Sequence, residues 1–204
     1  MHVNKASIVL FLLLSTGVNA LELNANCNSN CRTSYGELLG VTPSGVKAYS
    51  NCNGQCISFS SNKIDEKFTG IKWQCVEFAR RWLMINKRLS FKGIDIAANI
   101  WTDINVYQDE FDDAIELATY ENGSEVWPRK GDLIIYDKKL FGTGHVAVVI
   151  EVDSNNSVVY VAEQNYKNNK WKGLYSRKIS YELIGNKFYI KDKLLLGWKQ
   201  IVNK

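Results

Sequence analysis

One thiol is left over when the cysteines of this 204-residue chain are sorted by spacing. Cys27 and Cys31 form one C-x-x-x-C pair, Cys52 and Cys56 form another, and Cys75 has no counterpart. Histidine is as sparse: His2 lies in an apolar leader, so His145 is the single imidazole beyond it. A thiol becomes a strong nucleophile when a neighbouring base takes its proton, and that base works best when a carboxylate or amide fixes its ring. Glu163 and Asn165, in the stretch Glu163-Gln-Asn165, are of the type to supply the third group. Each residue alone has a plain explanation: a buried cysteine, a histidine opening a strand after Gly142-Thr-Gly144, a polar strand end. In the order Cys75, His145, then acid or amide, they suit attack on an amide carbonyl.

A helix and a hairpin must bring these residues together. Within and after Thr69 to Trp82, the apolar residues Val76, Ala79, Trp82, Leu83 and Met84 to Ile85 recur at three- and four-residue steps, the period of a helix burying one face. Cys75 falls in its first turn, where unpaired N–H groups and the positive end of the helix dipole favour thiolate. Glu77 and Arg81, four apart, read as a surface ion pair. Further on, Ile96 to Asn105 reads as a short helix followed by loop. From Gly131 the texture changes to short β-branched and aromatic runs: Asp132 to Tyr136, Val146 to Ile150, Val158 to Ala162, Lys187 to Ile190 and Leu195 to Trp198. Helices first and consecutive strands after imply an α+β domain with an antiparallel sheet.

The hairpin turn lies within Asp153 to Ser157. Side chains alternate along a strand, so Glu163 and Asn165 share one face and Gln164 takes the other. A three- or five-residue turn puts His145 with Glu163 and Asn165, and a two- or four-residue turn puts it with Gln164. The odd turn is expected here, because it lets a carboxylate or amide hold the second ring nitrogen of a general base.

The first residues set the compartment. Lys5, the run Ile8 to Leu14 and the small residues of Val18-Asn-Ala20 make a secretory signal peptide over residues 1–20, cut after Ala20. An uncleaved anchor is the alternative, but the run falls short of the ~20 residues a span needs. About 180 residues then remain, enough for one domain with a sizeable core. In an oxidising compartment Cys27, Cys31, Cys52 and Cys56 read as two disulfides bridging two facing segments, Cys27 to Cys56 with Cys31 to Cys52 or the swapped pairing. A four-cysteine zinc site is the runner-up, weakened by export and by the unusual spacing. The formal charge of +4 drops to +3 when Lys5 leaves, an unclustered excess that argues against a nucleic-acid partner. Lys167 to Lys172 reads as a solvated loop. Asn122 and Asn155 begin formal N-glycosylation sequons.

The chain also resembles the CHAP family, the cysteine, histidine-dependent amidohydrolases and peptidases. Within that family the resemblance is to amidase domains of bifunctional glutathionylspermidine and trypanothione synthetase-amidases. It rests on Gly36 to Gly40, Pro43 to Val46, Tyr49 to Asn51, Lys72 to Trp82, Asn122 to Glu125, Gly131 to Tyr136, Gly144 to Ala147, Ala162 to Tyr166, Lys170-Trp171 and Leu196 to Trp198. It implies a papain-like fold of N-terminal helices packed on an antiparallel sheet. It further implies Cys75 as nucleophile, His145 as base, Glu163 orienting the ring and Asn165 as a further polar contributor. The oxyanion would meet the backbone N–H of Cys75, with Gln74 assisting. The domain would run over residues 36–204, overlapping a cysteine-rich segment, 21–56, stapled to it. No ligase half follows, so synthesis is not expected. A monomer without cofactor or metal, secreted or lumenal in a vacuole or phagosome, is expected to cut an amide of bacterial cell-wall peptide. Alternatives are a glutathionyl-polyamine amide as substrate, or an idle module that binds peptidoglycan or glycopeptide.

Overall fold

A computed structural model describes residues 27–202. The leader and the cleavage expected after Ala20 lie outside the described residues. Two hairpins come first, β1 (Leu38–Val41) with β2 (Lys47–Tyr49) and β3 (Ser61–Ile64) with β4 (Lys67–Ile71). Then come α1 (Cys75–Lys87), a 3-10 turn (Ala97–Asn99) and the single-turn α2 (Ile100–Asp103). The remaining strands are β5 (Val106–Gln108), β6 (Ala114–Glu121), β7 (Leu133–Tyr136), β8 (His145–Asp153), β9 (Val158–Ala162), β10 (Arg177–Ile184), β11 (Lys187–Ile190) and β12 (Leu195–Ile201). They form one antiparallel sheet in the order β11-β10-β9-β8-β7-β12-β6-β5.

Both faces of the central strands are buried. Val146, Val148 and Ile150 face α1, whose inward stripe is Cys75, Phe78, Ala79, Trp82 and Leu83. Met84 and Ile85, expected on that stripe, are half-buried and exposed instead. Ala147 and Val149 face the other way, into a cluster with Val161, Tyr181, Phe188 and Trp198. One sheet face packs on itself because the sheet curls until the end of β6 meets β11: Ser124 bridges Phe188, and the Asn122 side chain donates to Ile190 O (3.0 Å) and accepts from Ile190 N (2.8 Å). Each large side chain buried in these layers contributes about 1.5–3 kcal/mol.

Of the N-terminal helices expected to pack on the sheet, α1 alone is of any length among the described residues, and what precedes it is sheet. The turn chemistry explains this: Asp65 and Glu66 both take positive φ (45° and 62°), the twist that closes a two-residue hairpin. The loop expected after the short helix is likewise the hairpin β5–β6. The helix expected over Ile96 to Asn105 is the 3-10 turn running into α2.

Candidate active site

Cys75 opens α1. Gln74 at the N-cap makes no side-chain capping bond, so the first-turn N–H groups are left for solvent or a ligand. Close approach of β4 sets the helix start: Gly70 has φ +146°, and a Cβ there would lie 2.8 Å from Glu77 Cβ. The four other cysteines are bonded as Cys27–Cys56 and Cys31–Cys52, the nested one of the two expected pairings, and Cys75 is free. Cys75 is 9% exposed, at the junction of two cavities of about 430 and 130 Å³ that share Ile57, Gln74, Cys75 and Thr143.

His145 opens β8, and Gly144 permits it: φ is +73°, and a Cβ there would fall 2.7 Å from both Ala98 Cβ and Tyr136 O. The route to Glu163 differs from expectation. Asp153 pairs with Val158, so the turn holds four residues, 154–157, an even number. A bulge at Ile150 restores parity, since Val149 pairs with Val161 but Glu151 with Tyr160. The extra residue shifts the register by one and returns His145 to the face of Glu163.

There His145 Nε2 lies 2.9 Å from Glu163 Oε2, both side chains buried. That leaves Nδ1 as the ring nitrogen available to Cys75, which lines the smaller cavity together with His145. Burial opposes charge on His145, but the Cys75 sulfur and the Glu163 carboxylate outweigh it and push the pKa up to about 9. Burial opposes charge on Glu163 too, yet the His145 hydrogen bond and the Arg177 cation bring it down to about 2. The pair is therefore held as imidazolium and carboxylate across the neutral range.

Sequence reasoning missed Arg177. From β10, next to β9, it donates Nε to Glu163 Oε1 (2.5 Å) and Nη2 to Glu163 Oε2 (3.1 Å), while Nη1 reaches Asp192 Oδ2 (2.7 Å). The Tyr136 hydroxyl donates to the same Asp192 oxygen (2.8 Å) and accepts from Arg177 (2.9 Å). Tyr166 stacks on the guanidinium at 3.9 Å, with its ring 5.2 Å from that of His145. Only the alternation of Ile179 and Tyr181 in Arg177 to Ile184 hinted that a strand carries this arginine.

Asn165 does not reach the imidazole by a hydrogen bond. With φ +53° it leaves the strand direction, and its Nδ2 donates to Gln74 Oε1 (2.7 Å). Gln74 Nε2 donates to Cys56 O (3.1 Å). A 3.5 Å contact to Asn51 Oδ1, at the outer limit for a hydrogen bond, leaves the second Nε2 proton the less committed donor of that amide. Glu77 and Arg81 are not on the surface: the pair is buried, with Arg81 Nε 2.6 Å from Glu77 Oε1. Gln164, pointing away from Glu163, completes that pair from below the helix.

Residues 65–165 match the CHAP domain. The chain is 35% identical over 188 residues to a protein named trypanothione synthetase from Crithidia fasciculata, covering 88% of this chain and 28% of that one. It is 31% identical over 189 residues to the bifunctional glutathionylspermidine synthetase/amidase of Escherichia coli (strain K12), covering 80% and 29%. The chain thus spans little more than a quarter of the length of these relatives. Cys75, His145 and Glu163 all lie inside the matched span, and the chain belongs to the CHAP-domain family.

Proposed function

We propose that this protein is a secreted thiol amidohydrolase. Cys75 Sγ attacks an amide carbonyl carbon, and the carbonyl electron pair moves to oxygen, facing the Cys75 N–H and the Gln74 amide. As the C–N bond breaks, the His145 imidazolium gives its proton to the leaving nitrogen. Water then adds to the thioester with His145 as base, releasing the acid and restoring the thiol. Glu163 holds the ring, and Arg177 holds Glu163. The observation that carries this reading is a free thiol at a helix start that shares a cavity with an imidazole whose Nε2 lies 2.9 Å from a buried carboxylate. The leader and the two disulfides support an oxidising, extracellular or lumenal setting.

The substrate we favour is an amide of bacterial cell-wall peptide. The larger cavity at Cys75 has apolar walls from Ile57, Phe68, Val76 and Ile94, and Asp95 is the one exposed carboxylate lining it. Apolar walls with a single exposed carboxylate offer a polycation little, and suit a peptide better. A glutathionyl-polyamine amide is the second reading, favoured by the name of the E. coli relative. Incubation of the mature protein with purified peptidoglycan and, separately, with glutathionylspermidine, with products read by mass, decides between them. Release from the first supports our ranking, and release from the second alone reverses it. Binding of peptidoglycan without cleavage, unchanged in Cys75→Ala, points to an idle binding module.

A further inference from the structure

We propose that the loop from Cys52 to Cys56, closed at both ends by disulfides, is a positioning element of the catalytic centre, fixing the Gln74 amide that receives the oxyanion. The proposal rests on the hydrolase reading above. Cys56 is bonded to Cys27 and Cys52 to Cys31, so neither end of the loop is free to drift. The Cys56 carbonyl is the acceptor for Gln74 Nε2 (3.1 Å), and the fully buried Asn51 donates to the same oxygen (2.7 Å). Asn51 Oδ1 also sits 3.5 Å from both Trp73 N and Gln74 Nε2, in the turn that leads into the nucleophile. From the opposite side Asn165 holds Gln74 Oε1. The amide is gripped at oxygen by the segment after β9 and at nitrogen by the stapled loop.

Gly54 and Ile57 extend the same segment into the wall of the smaller cavity, beside Cys75 and His145. A free glutamine side chain loses rotamer freedom when immobilised, so a grip made before substrate arrives spares the transition state that loss. Neither Asn51 nor the Cys56 carbonyl touches Cys75, His145 or Glu163 among the hydrogen bonds of the site. The staple therefore acts on the oxyanion and not on the nucleophile, and this separates it from a merely structural brace.

Two probes of the full mature chain test this. N-acetylglycinal adds to the Cys75 thiol as a hemithioacetal: an S–C bond forms, and the carbonyl oxygen takes the proton where the oxyanion would stand. Iodoacetamide alkylates the same sulfur with loss of iodide and forms no oxyanion. In Cys27→Ser/Cys56→Ser, and in Asn51→Ala with both bridges intact, aldehyde affinity should fall about 30-fold or more, while the alkylation rate stays within about two-fold. In a Gln74→Leu background neither change should weaken the aldehyde further. Unchanged aldehyde affinity, alkylation falling in parallel with it, or additive losses in the Gln74→Leu background would each overturn the proposal. A wild type that cuts no amide while the aldehyde pattern holds defeats the hydrolase reading and leaves the positioning role standing.

Discussion

Two buried glutamate–arginine pairs lie on opposite sides of one short segment, and they do different work. Glu77 accepts from Asn62 (2.9 Å), Thr69 (3.0 Å), Arg81 (2.6 and 3.1 Å) and Gln164 (3.0 Å), so both oxygens are saturated by donors that keep their protons. Glu163 takes two bonds from Arg177 and one from His145. Arg81 is 7% exposed in its side chain and Arg177 20%, so the second pair stays nearer to water. Glu163 and Gln164 are sequence neighbours on opposite faces. One strand end thus anchors the helix that carries the thiol and, with the next residue, aligns the base. A saturated carboxylate is a fastener, and a carboxylate with one acceptor site open to a titratable ring can tune chemistry.

Substitutions should break this comparison in a graded way. The largest effect is expected from Cys75→Ala, which should lower turnover by about 10⁴-fold or more with the unfolding midpoint nearly unchanged, as product assays and calorimetry would show. Glu77→Gln leaves a buried guanidinium without its charge partner and should cost about 3–5 kcal/mol of stability in denaturant titrations. Glu163→Gln should do the reverse: turnover falls about 10²-fold for loss of ring alignment, with a smaller loss of stability because Arg177 keeps Asp192 and solvent.

pH sharpens the contrast. The His145 pKa is raised from 6.5 to about 9, so its contribution to stability is complete below 6.5 and lost as pH rises through about 9. Glu163 is lowered from 4.5 to about 2, so its contribution is complete above 4.5 and lost as pH falls through about 2. The stability difference between wild type and Glu163→Gln should therefore be largest between pH 4.5 and 6.5 and shrink on both sides, in denaturation measured across pH. The smallest effect concerns the exposed turn. In a glycosylating secretory host a single glycan is expected on Asn155, at the far end of β8 from His145, with activity unchanged and the mass shift absent in Asn155→Gln. Asn122 has its amide engaged with Ile190 and should stay bare.

Elimination made much of this site legible: with one unpaired cysteine and one imidazole beyond the leader, Cys75 and His145 needed no geometry to single out, and Glu163 needed only a strand and its alternation. The parity of the hairpin was not legible. Val149, Ile150 and Glu151 carry no glycine or proline to announce a bulge, yet that bulge puts His145 on the right face of an even turn. Asn165 does line the smaller cavity with His145, but past the strand end its φ turns positive and its amide bonds Gln74 and not the ring. Arg177 and the burial of Glu77 depend on segments distant in sequence, where local periodicity holds no information about partners. The N-terminal hairpins were hidden for another reason: three- to five-residue strands are too short for alternation to show.

The most direct test of the central claim is the alkylation rate of Cys75 by iodoacetamide at pH 7 in wild type and in His145→Ala. An imidazolium acting on the sulfur should make the wild type faster by about 30-fold or more. Equal rates in the two proteins would mean that the imidazole does not act on the thiol and that Cys75 and His145 do not work as a pair.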